Sequence, residues 1–89
     1  MRYNITITRK ALKQVMKIQA QDRPRIFAGI RNLADSETWG DVRKLTNHPY
    51  GYRLRIGHYR VLFSATADMT LEVNEISVEE IKKCDDRTY

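Results

Sequence analysis

The stretch YGYRLRIGHYRVLF (Tyr50–Phe63) alternates along its length, reverses at Gly57–His58 and then alternates again. Alternation with a period of two predicts two strands, and a two-residue connection that contains glycine predicts a β-hairpin. In this register Arg55 lies directly opposite Arg60. The other predicted pairs are Ile56–Tyr59, Leu54–Val61, Arg53–Leu62 and Tyr52–Phe63.

The hairpin separates apolar and basic residues onto two faces of the predicted sheet. Arg53, Arg55 and Arg60 share one face, and a longer turn would still leave Arg53 and Arg55 together. Like charges directly opposite each other on adjacent strands destabilise a sheet by roughly 0.2–1 kcal/mol. An anion held between the guanidinium groups would make the contribution of this pair to stability favourable, because their planar forks suit phosphate oxygens. We therefore interpret this face as a phosphate site; the alternative is incidental surface charge. The apolar face holds Tyr52, Leu54, Ile56, Tyr59, Val61 and Phe63.

Outward from the hairpin, the remaining segments complete one α+β domain over residues 1–89. The predicted order is β-α-α-β-β-β, followed by a short polar tail with helical potential, and the sheet is expected to be small and antiparallel with a helical hairpin on one face. The strands are Tyr3–Ile7, Tyr52–Ile56, Tyr59–Ala65 and Thr70–Val78, with a loop around Ser36–Asp41.

Both helices are predicted from apolar residues at helical spacing. Thr8 is a capping candidate for the first helix, and Asp22 with Pro24 marks the start of the second. We expect these two apolar stripes to face the core. They are Leu12, Val15 and Met16 in the first helix, and Ile26, Phe27, Ile30, Leu33 and Ala34 in the second.

Charge and composition limit the classes of function. The chain has a formal net charge of +5, and between Val42 and Ala67 it carries five bases and no carboxylate. Such a segment favours a polyanionic partner, with a solvated basic face as the alternative. We expect a cytoplasmic protein without a membrane partner. The chain has a single cysteine, Cys84, its first residues MRYNITITRK contain no apolar signal core, and no apolar run reaches membrane-spanning length.

The chain resembles the RelE branch of the RelE/ParE toxin superfamily over nearly its whole length. The resemblance is carried by the hairpin YRLRIGHYRVLF, the preceding WGDVRKL and the final KKCDDRTY. The resemblance implies a toxin encoded beside a RelB-like antitoxin, and a ribosome-dependent endoribonuclease that cuts mRNA in the ribosomal A site. Operator DNA would be contacted only indirectly, through the antitoxin. The alternative is the ParE branch, which shares the fold and inhibits DNA gyrase without catalysis.

The resemblance also implies a reaction without cofactor or metal, in which a ribose 2′-oxygen attacks its own 3′-phosphate. The reaction needs a base at the 2′-hydroxyl, positive charge near the phosphorane oxygens and an acid at the leaving oxygen. Arginine is a poor base, so His58 at the turn is the nearest group that titrates close to neutral pH; its alternative is a turn residue facing water. The catalytic candidates are Arg53, Arg55, Arg60, Lys83 and Tyr89, and the substrate-binding candidates are Arg43, Lys44, His58 and Lys82.

Three further residues carry open alternatives. Cys84 stands where similar sequences often have arginine; if that arginine contributes to catalysis, then either the activity is low or Lys83 substitutes for the arginine. Trp39 is expected to pack over the core rather than to stack on a nucleotide base. For Tyr50, packing and base stacking both stay open.

Overall fold

The structure, a computed structural model, describes residues 1–68, 70 and 73–83. These residues form a five-stranded sheet and two helices, which confirms the predicted α+β class. Neither of these helices is long and apolar enough to cross a bilayer. The elements are β1 (Asn4–Ile7), α1 (Arg9–Met16), α2 (Arg23–Asn32), β2 (Asp41–Lys44), β3 (Tyr52–Ile56), β4 (Tyr59–Asp68) and β5 (Val73–Lys83).

The strand order in the sheet is β1-β5-β4-β3-β2. Strands β2 to β5 pair antiparallel with their neighbours, as expected from their short connections. The first strand differs, because β1 pairs parallel with β5 and the sheet is therefore mixed. Most of the chain separates β1 from β5, so no hairpin turn forces these two strands to run in opposite directions.

Strand β2 is an addition to the predicted order, since residues 41–44 follow the segment expected to be a loop. Its sequence, DVRK, offers a single strong β-former, Val42. The strand exists because β3 provides a pairing edge, with Val42 opposite Leu54. Beside it, Trp39 packs against the rings of Tyr52 and Phe63, and its Nε1 donates to the Leu33 carbonyl at 2.7 Å. The packing role expected for Trp39 is confirmed.

Helix α1 lies along the edge of β5 at the point where β1 ends. Thr8 caps the helix by accepting from the Ala11 backbone N–H at 3.1 Å, as predicted. The Gln14 side chain then takes the place of a strand, because its Oε1 accepts from the Ile81 backbone N–H at 2.7 Å. The helix therefore protects an edge of the sheet that would otherwise be open to pairing.

Because α1 lies at this edge, the prediction of which α1 residues face the core is partly wrong. Leu12 and Met16 are 45% and 55% exposed, whereas Ala11 and Val15 are fully buried. The prediction assumed a helix lying flat on the sheet. A helix that lies beside β5 presents the neighbouring stripe to the core, because the packing surface is rotated by about one residue, or 100°.

Helix α2 carries the apolar stripe that was predicted for it. Ile26, Ile30 and the following Leu33 are buried, and Phe27 packs against the core from a partly buried position. Asp22 does occupy the position before the helix, but its carboxylate accepts a hydrogen bond from the Tyr59 hydroxyl at 2.8 Å rather than from the helix backbone. This bond ties the start of α2 to the start of β4.

Strand β5 runs to Lys83, five residues beyond the predicted end at Val78. Phe63 pairs with Val78 and Leu62 pairs with Glu80, so Glu79 is an extra residue in a β-bulge. The bulge changes which residues face inward, and both Val78 and Ile81 are buried although they are three positions apart. Residues 79–83 are therefore strand and not part of a helical tail; residues 84–89 lie outside the described residues.

The hairpin turn gives a test of this fold. Gly57 has φ of +56°, where a side chain costs about 1–2 kcal/mol. A Cβ there would also lie 2.6 Å from Arg25 Nη2. We expect Gly57→Ala to lower the free energy of unfolding by about 1–2 kcal/mol in urea denaturation. Gly51→Ala is the matched control, because a Cβ at Gly51 meets nothing within 4 Å. Equal effects of the two substitutions would contradict the turn geometry.

Candidate nucleic-acid interface

The sheet face opposite the helices carries two rows of side chains that cross four strands. Successive residues in a row are paired in the register of β2, β3, β4 and β5, so their Cβ atoms are about 4.5–5.5 Å apart. We call this surface the basic face and define it by Arg43, Arg53, Arg55, Arg60 and Lys82. The first row is Asp41–Arg55–Arg60–Lys82, and the second is Arg43–Arg53–Leu62–Glu80.

The first row places three cations side by side near the hairpin turn. Arg55 pairs with Arg60, which confirms the opposition predicted from the two-residue turn, and Arg60 pairs in turn with Lys82. Arg55 and Lys82 are exposed and Arg60 is half-buried. Three adjacent cations on a sheet present several N–H donors to an anion bound above them.

Arg53 in the second row is less accessible than expected. The residue is 8% exposed, and its Nη2 lies 3.5 Å from Asp41 Oδ1 on β2. A buried guanidinium needs such a partner, because an unpaired charge is costly away from water. Arg53 therefore contributes positive charge from beneath the surface, while Arg55 and Lys82 are directly accessible.

Glu80 is the carboxylate at the end of the second row, and basic groups surround it. Its Oε1 lies 3.2 Å from Lys10 Nζ and 3.9 Å from Lys82 Nζ, and accepts from Gln14 Nε2 at 3.4 Å. Burial alone would raise the pKa of Glu80, but the hydrogen bonds from Lys10 and Gln14 and the charges of Lys82 and Lys10 outweigh burial and lower it. Glu80 thus stays ionised and links α1 to the basic face.

Tyr50 connects the loop between β2 and β3 to the same carboxylate. Burial, followed by the charge of Glu80 and a hydrogen bond to it, raises the pKa of the Tyr50 hydroxyl. Tyr50 is partly buried, and its ring centroid lies 5.6 Å from that of His48 in the same loop. For Tyr50, packing and base stacking therefore both stay open.

Solved structures with this arrangement of strands and helices include three toxin–antitoxin complexes. A chain of the archaeal RelE–RelB complex from Pyrococcus horikoshii matches with a TM-score of 0.72 and 23% identity, over 93% of this chain and 96% of that one. A chain of the RelB–RelE complex from Methanococcus jannaschii matches with a TM-score of 0.65 and 18% identity, over 86% of this chain and 87% of that one. A chain of the RelBE2 complex from Mycobacterium tuberculosis matches with a TM-score of 0.59 and 19% identity, over 93% of this chain and 99% of that one. The chain has the RelE fold.

The likeness to the RelE fold is structural. No protein-family model matches the sequence, and no curated protein is similar to it. The matches nevertheless cover most of both chains in each pair, so the likeness extends over most of the chain and is not limited to one motif.

The RelE fold distributes the predicted site residues over both faces of the sheet. Five of them form the basic face: Arg43, Arg53, Arg55, Arg60 and Lys82. Lys44 pairs with Tyr52 and Lys83 pairs with Tyr59, so both belong to the opposite, helix-bearing face. His58 is exposed in the turn, and Tyr89 lies outside the described residues.

Sequence reasoning missed the residues that organise the basic face. Glu80 was expected in a polar tail, with balance of the basic site by the tail acids as the alternative, and Asp41 was expected in a loop; they lie beside Lys82 and Arg53 respectively. A signal for Glu80 was present in the run Val78-Glu79-Glu80-Ile81, because apolar residues three apart in a strand indicate a bulge. Lys10 gave no such signal, since its contact with Glu80 joins residues 70 positions apart.

The side chains of the basic face have the chemistry that suits an anion. Among residues 1–68, 70 and 73–83, no group of three or more His, Cys, Asp or Glu side chains could hold a metal ion. The basic face offers guanidinium and ammonium groups, which donate hydrogen bonds to phosphate oxygens.

The lowered pKa of Glu80 predicts a pH-dependent contribution to stability. Folding favours the ionised carboxylate, so the contribution is complete above the ordinary glutamate value of 4.5 and is lost as the pH falls through the lower folded-state pKa. We expect Glu80→Gln to lower the free energy of unfolding by about 1–2 kcal/mol at neutral pH. The difference from the wild type should shrink as the pH falls below 4.5 and through the lower folded-state pKa.

The measurement is urea denaturation across this pH range. Glu75→Gln, at an exposed position on the same strand, is the matched control and should cause a smaller loss at neutral pH. A loss for Glu80→Gln that stays constant across the range would contradict the assignment of an ionised Glu80 to this network.

Proposed function

We propose that this chain is the toxin of a toxin–antitoxin pair and that it inhibits translation by cutting mRNA in the ribosomal A site. The observation that carries the proposal is the row Arg55–Arg60–Lys82 on the open face of a RelE fold. Solved structures of the same fold are named as complexes of RelE with RelB, which supports an antitoxin partner. The toxin would act in the cytoplasm, and would contact operator DNA only through the antitoxin.

In the proposed reaction the ribose 2′-oxygen attacks the adjacent phosphorus, and the bond from phosphorus to the 5′-oxygen breaks. The products are a 2′,3′-cyclic phosphate and a 5′-hydroxyl. Arg55 and Arg60 stabilise the charge that develops on the phosphorane oxygens, because a preorganised donor acts most strongly where charge appears in the transition state. Their guanidinium groups accept no proton near neutral pH, so the 2′-hydroxyl proton passes to water.

Lys82 is the proposed proton donor to the leaving 5′-oxygen. It pairs with Arg60 across β4 and β5, whereas Lys83 belongs to the other face of the sheet. The Lys82 Nζ lies 3.9 Å from Glu80 Oε1, so the ammonium group has a negative charge on one side and Arg60 on the other. The family resemblance places both Lys82 and Lys83 near the basic residue credited with this role, and the strand register favours Lys82.

Catalysis of this kind depends on the alignment of the RNA. Without a strong base, the rate relies on holding the 2′-oxygen in line with the leaving oxygen, and such positioning contributes up to about 7–11 kcal/mol. The ribosomal A site would supply the alignment by fixing the message. Free RNA should therefore be a poor substrate.

Induced expression of the chain tests the reaction. We expect growth arrest, with translated messages cut at positions in register with codons when they are mapped by primer extension. Co-expression of an antitoxin encoded beside it should restore growth. Intact messages together with blocked DNA supercoiling would contradict the nuclease proposal and indicate a gyrase inhibitor instead.

Substitution of Arg60 tests which residues carry the reaction. Arg60→Ala should abolish growth arrest, and Arg60→Lys should restore it only in part, because lysine keeps the charge but lacks the bidentate fork. Arg31→Ala, at an exposed position on α2, is the control and should stay toxic. Thermal unfolding of each variant is measured in parallel. A drop in the Arg60→Ala midpoint that accounts for the lost toxicity would make Arg60 a structural residue.

A further inference from the structure

A cleft of about 520 Å³ opens on the helix-bearing side of the sheet, at the end where the hairpin turns. Its walls come from the end of α1, the start of α2, the hairpin turn and the end of β5. We call it the hairpin cleft, and its lining includes Lys17, Ile18, Asp22, Arg25, Tyr59 and Lys83. It is separate from the basic face, which lies on the other side of the sheet.

The hairpin cleft is positively charged. Lys17, Arg25 and Lys83 carry permanent charges and Asp22 is the single acid of the lining, so the formal net charge is three minus one, or +2, with His58 neutral. The Asp22 carboxylate already accepts a hydrogen bond from the Tyr59 hydroxyl at 2.8 Å. Three cations around one engaged carboxylate, in a concave site with low-dielectric walls, attract an anion.

The walls of the cleft are held in place before any ligand arrives. The Asp22–Tyr59 bond joins α2 to β4, and the Arg25 guanidinium lies against the turn, since a Cβ on Gly57 would come within 2.6 Å of its Nη2. Ile81, in the wall formed by β5, is buried and fixed by the Gln14 side chain. A preformed site loses less conformational entropy on binding than a flexible one.

The position of the cleft relative to the basic face indicates which anion it takes. Lys82 faces the arginines and the next residue, Lys83, lines the cleft. A nucleic acid strand that leaves the row Arg55–Arg60–Lys82 and passes around the end of the sheet would meet a second set of cations on the other side. A separate acidic protein would have no reason to require this continuity.

We infer that the hairpin cleft is a second RNA-binding subsite, which takes a phosphate group of a nucleotide flanking the one cut on the basic face. The inference rests on the proposed function and extends it from one side of the sheet to the other. Lys17 and Arg25 contact the phosphate, and the wall formed by Tyr59 and Ile18 accommodates the sugar or base. The subsite adds affinity and fixes the direction in which the strand leaves the cut.

The location of binding can be measured by NMR on the ¹⁵N-labelled full chain, titrated with a short RNA whose riboses are 2′-O-methylated so that it cannot be cut. Backbone amides of Ile18 and Gln19 report on the cleft, and those of Arg43 and Arg53 report on the basic face. We expect both pairs of amides to shift with the same dependence on RNA concentration.

A charge substitution then tests the contact itself. Lys17→Gln should lower the slope of log affinity against log salt concentration by about 0.7, the value for one phosphate contact to a single strand. Lys13→Gln, one turn earlier on α1, is the matched control and should leave the slope unchanged, because Lys13 does not line the cleft.

The outcomes separate this inference from the proposed function. Shifts confined to Arg43 and Arg53, with equal slopes for the two lysine variants, would overturn the subsite and leave the nuclease proposal standing. Shifts at Ile18 and Gln19 with a glutamate-rich peptide and not with RNA would assign the cleft to an acidic protein partner. An RNA that moves neither pair of amides would overturn the subsite and the RNA-binding face together.

Discussion

The two-residue turn at Gly57–His58 fixes the register of β3 against β4, and the rest of the structure depends on that register. Gly57 supplies the positive φ that the turn needs, which sets Arg55 opposite Arg60 and Leu54 opposite Val61. A slip of one residue would send the arginines into the core and the apolar residues to the surface. Burial of the apolar face under α2 prevents this slip, so the arginine pair is a consequence of the same pattern that forms the core.

A second constraint, the bulge at Glu79, decides which residues of β5 join the arginines. Without the extra residue, Lys83 would face the same way as Arg60 and Lys82 would face the helices. With it, Lys82 and Glu80 lie on the basic face, and Ile81 enters the core. The bulge thus exchanges the roles of two adjacent lysines and brings in the carboxylate that orients one of them.

The sequence predicts those features that depend on local patterns. Period-two alternation and a short turn are sufficient for the hairpin register, and helical spacing is sufficient for the buried stripe of α2. The misses share a different origin, because each depends on a partner distant in the chain. Strand β2 forms only against β3, and the inward face of α1 is set by the edge of β5. Arg53 is buried, and its guanidinium lies 3.5 Å from the Asp41 carboxylate on the neighbouring strand.

The end of the sheet near the turn combines several features that a sequence selected for folding alone would avoid. Like charges face each other across β3 and β4, at a cost of roughly 0.2–1 kcal/mol, and a bulge interrupts the ladder beside them. Proteins concentrate such local costs at functional sites and offset them elsewhere. Here part of the offset is visible in Glu80, whose negative charge lies between Lys10 and Lys82. Asp41 pairs with Arg55 in the register and Glu80 lies beside Lys82, so a carboxylate flanks each end of the row, and a phosphate bound at its centre would join a set of charges that the strands already hold in place.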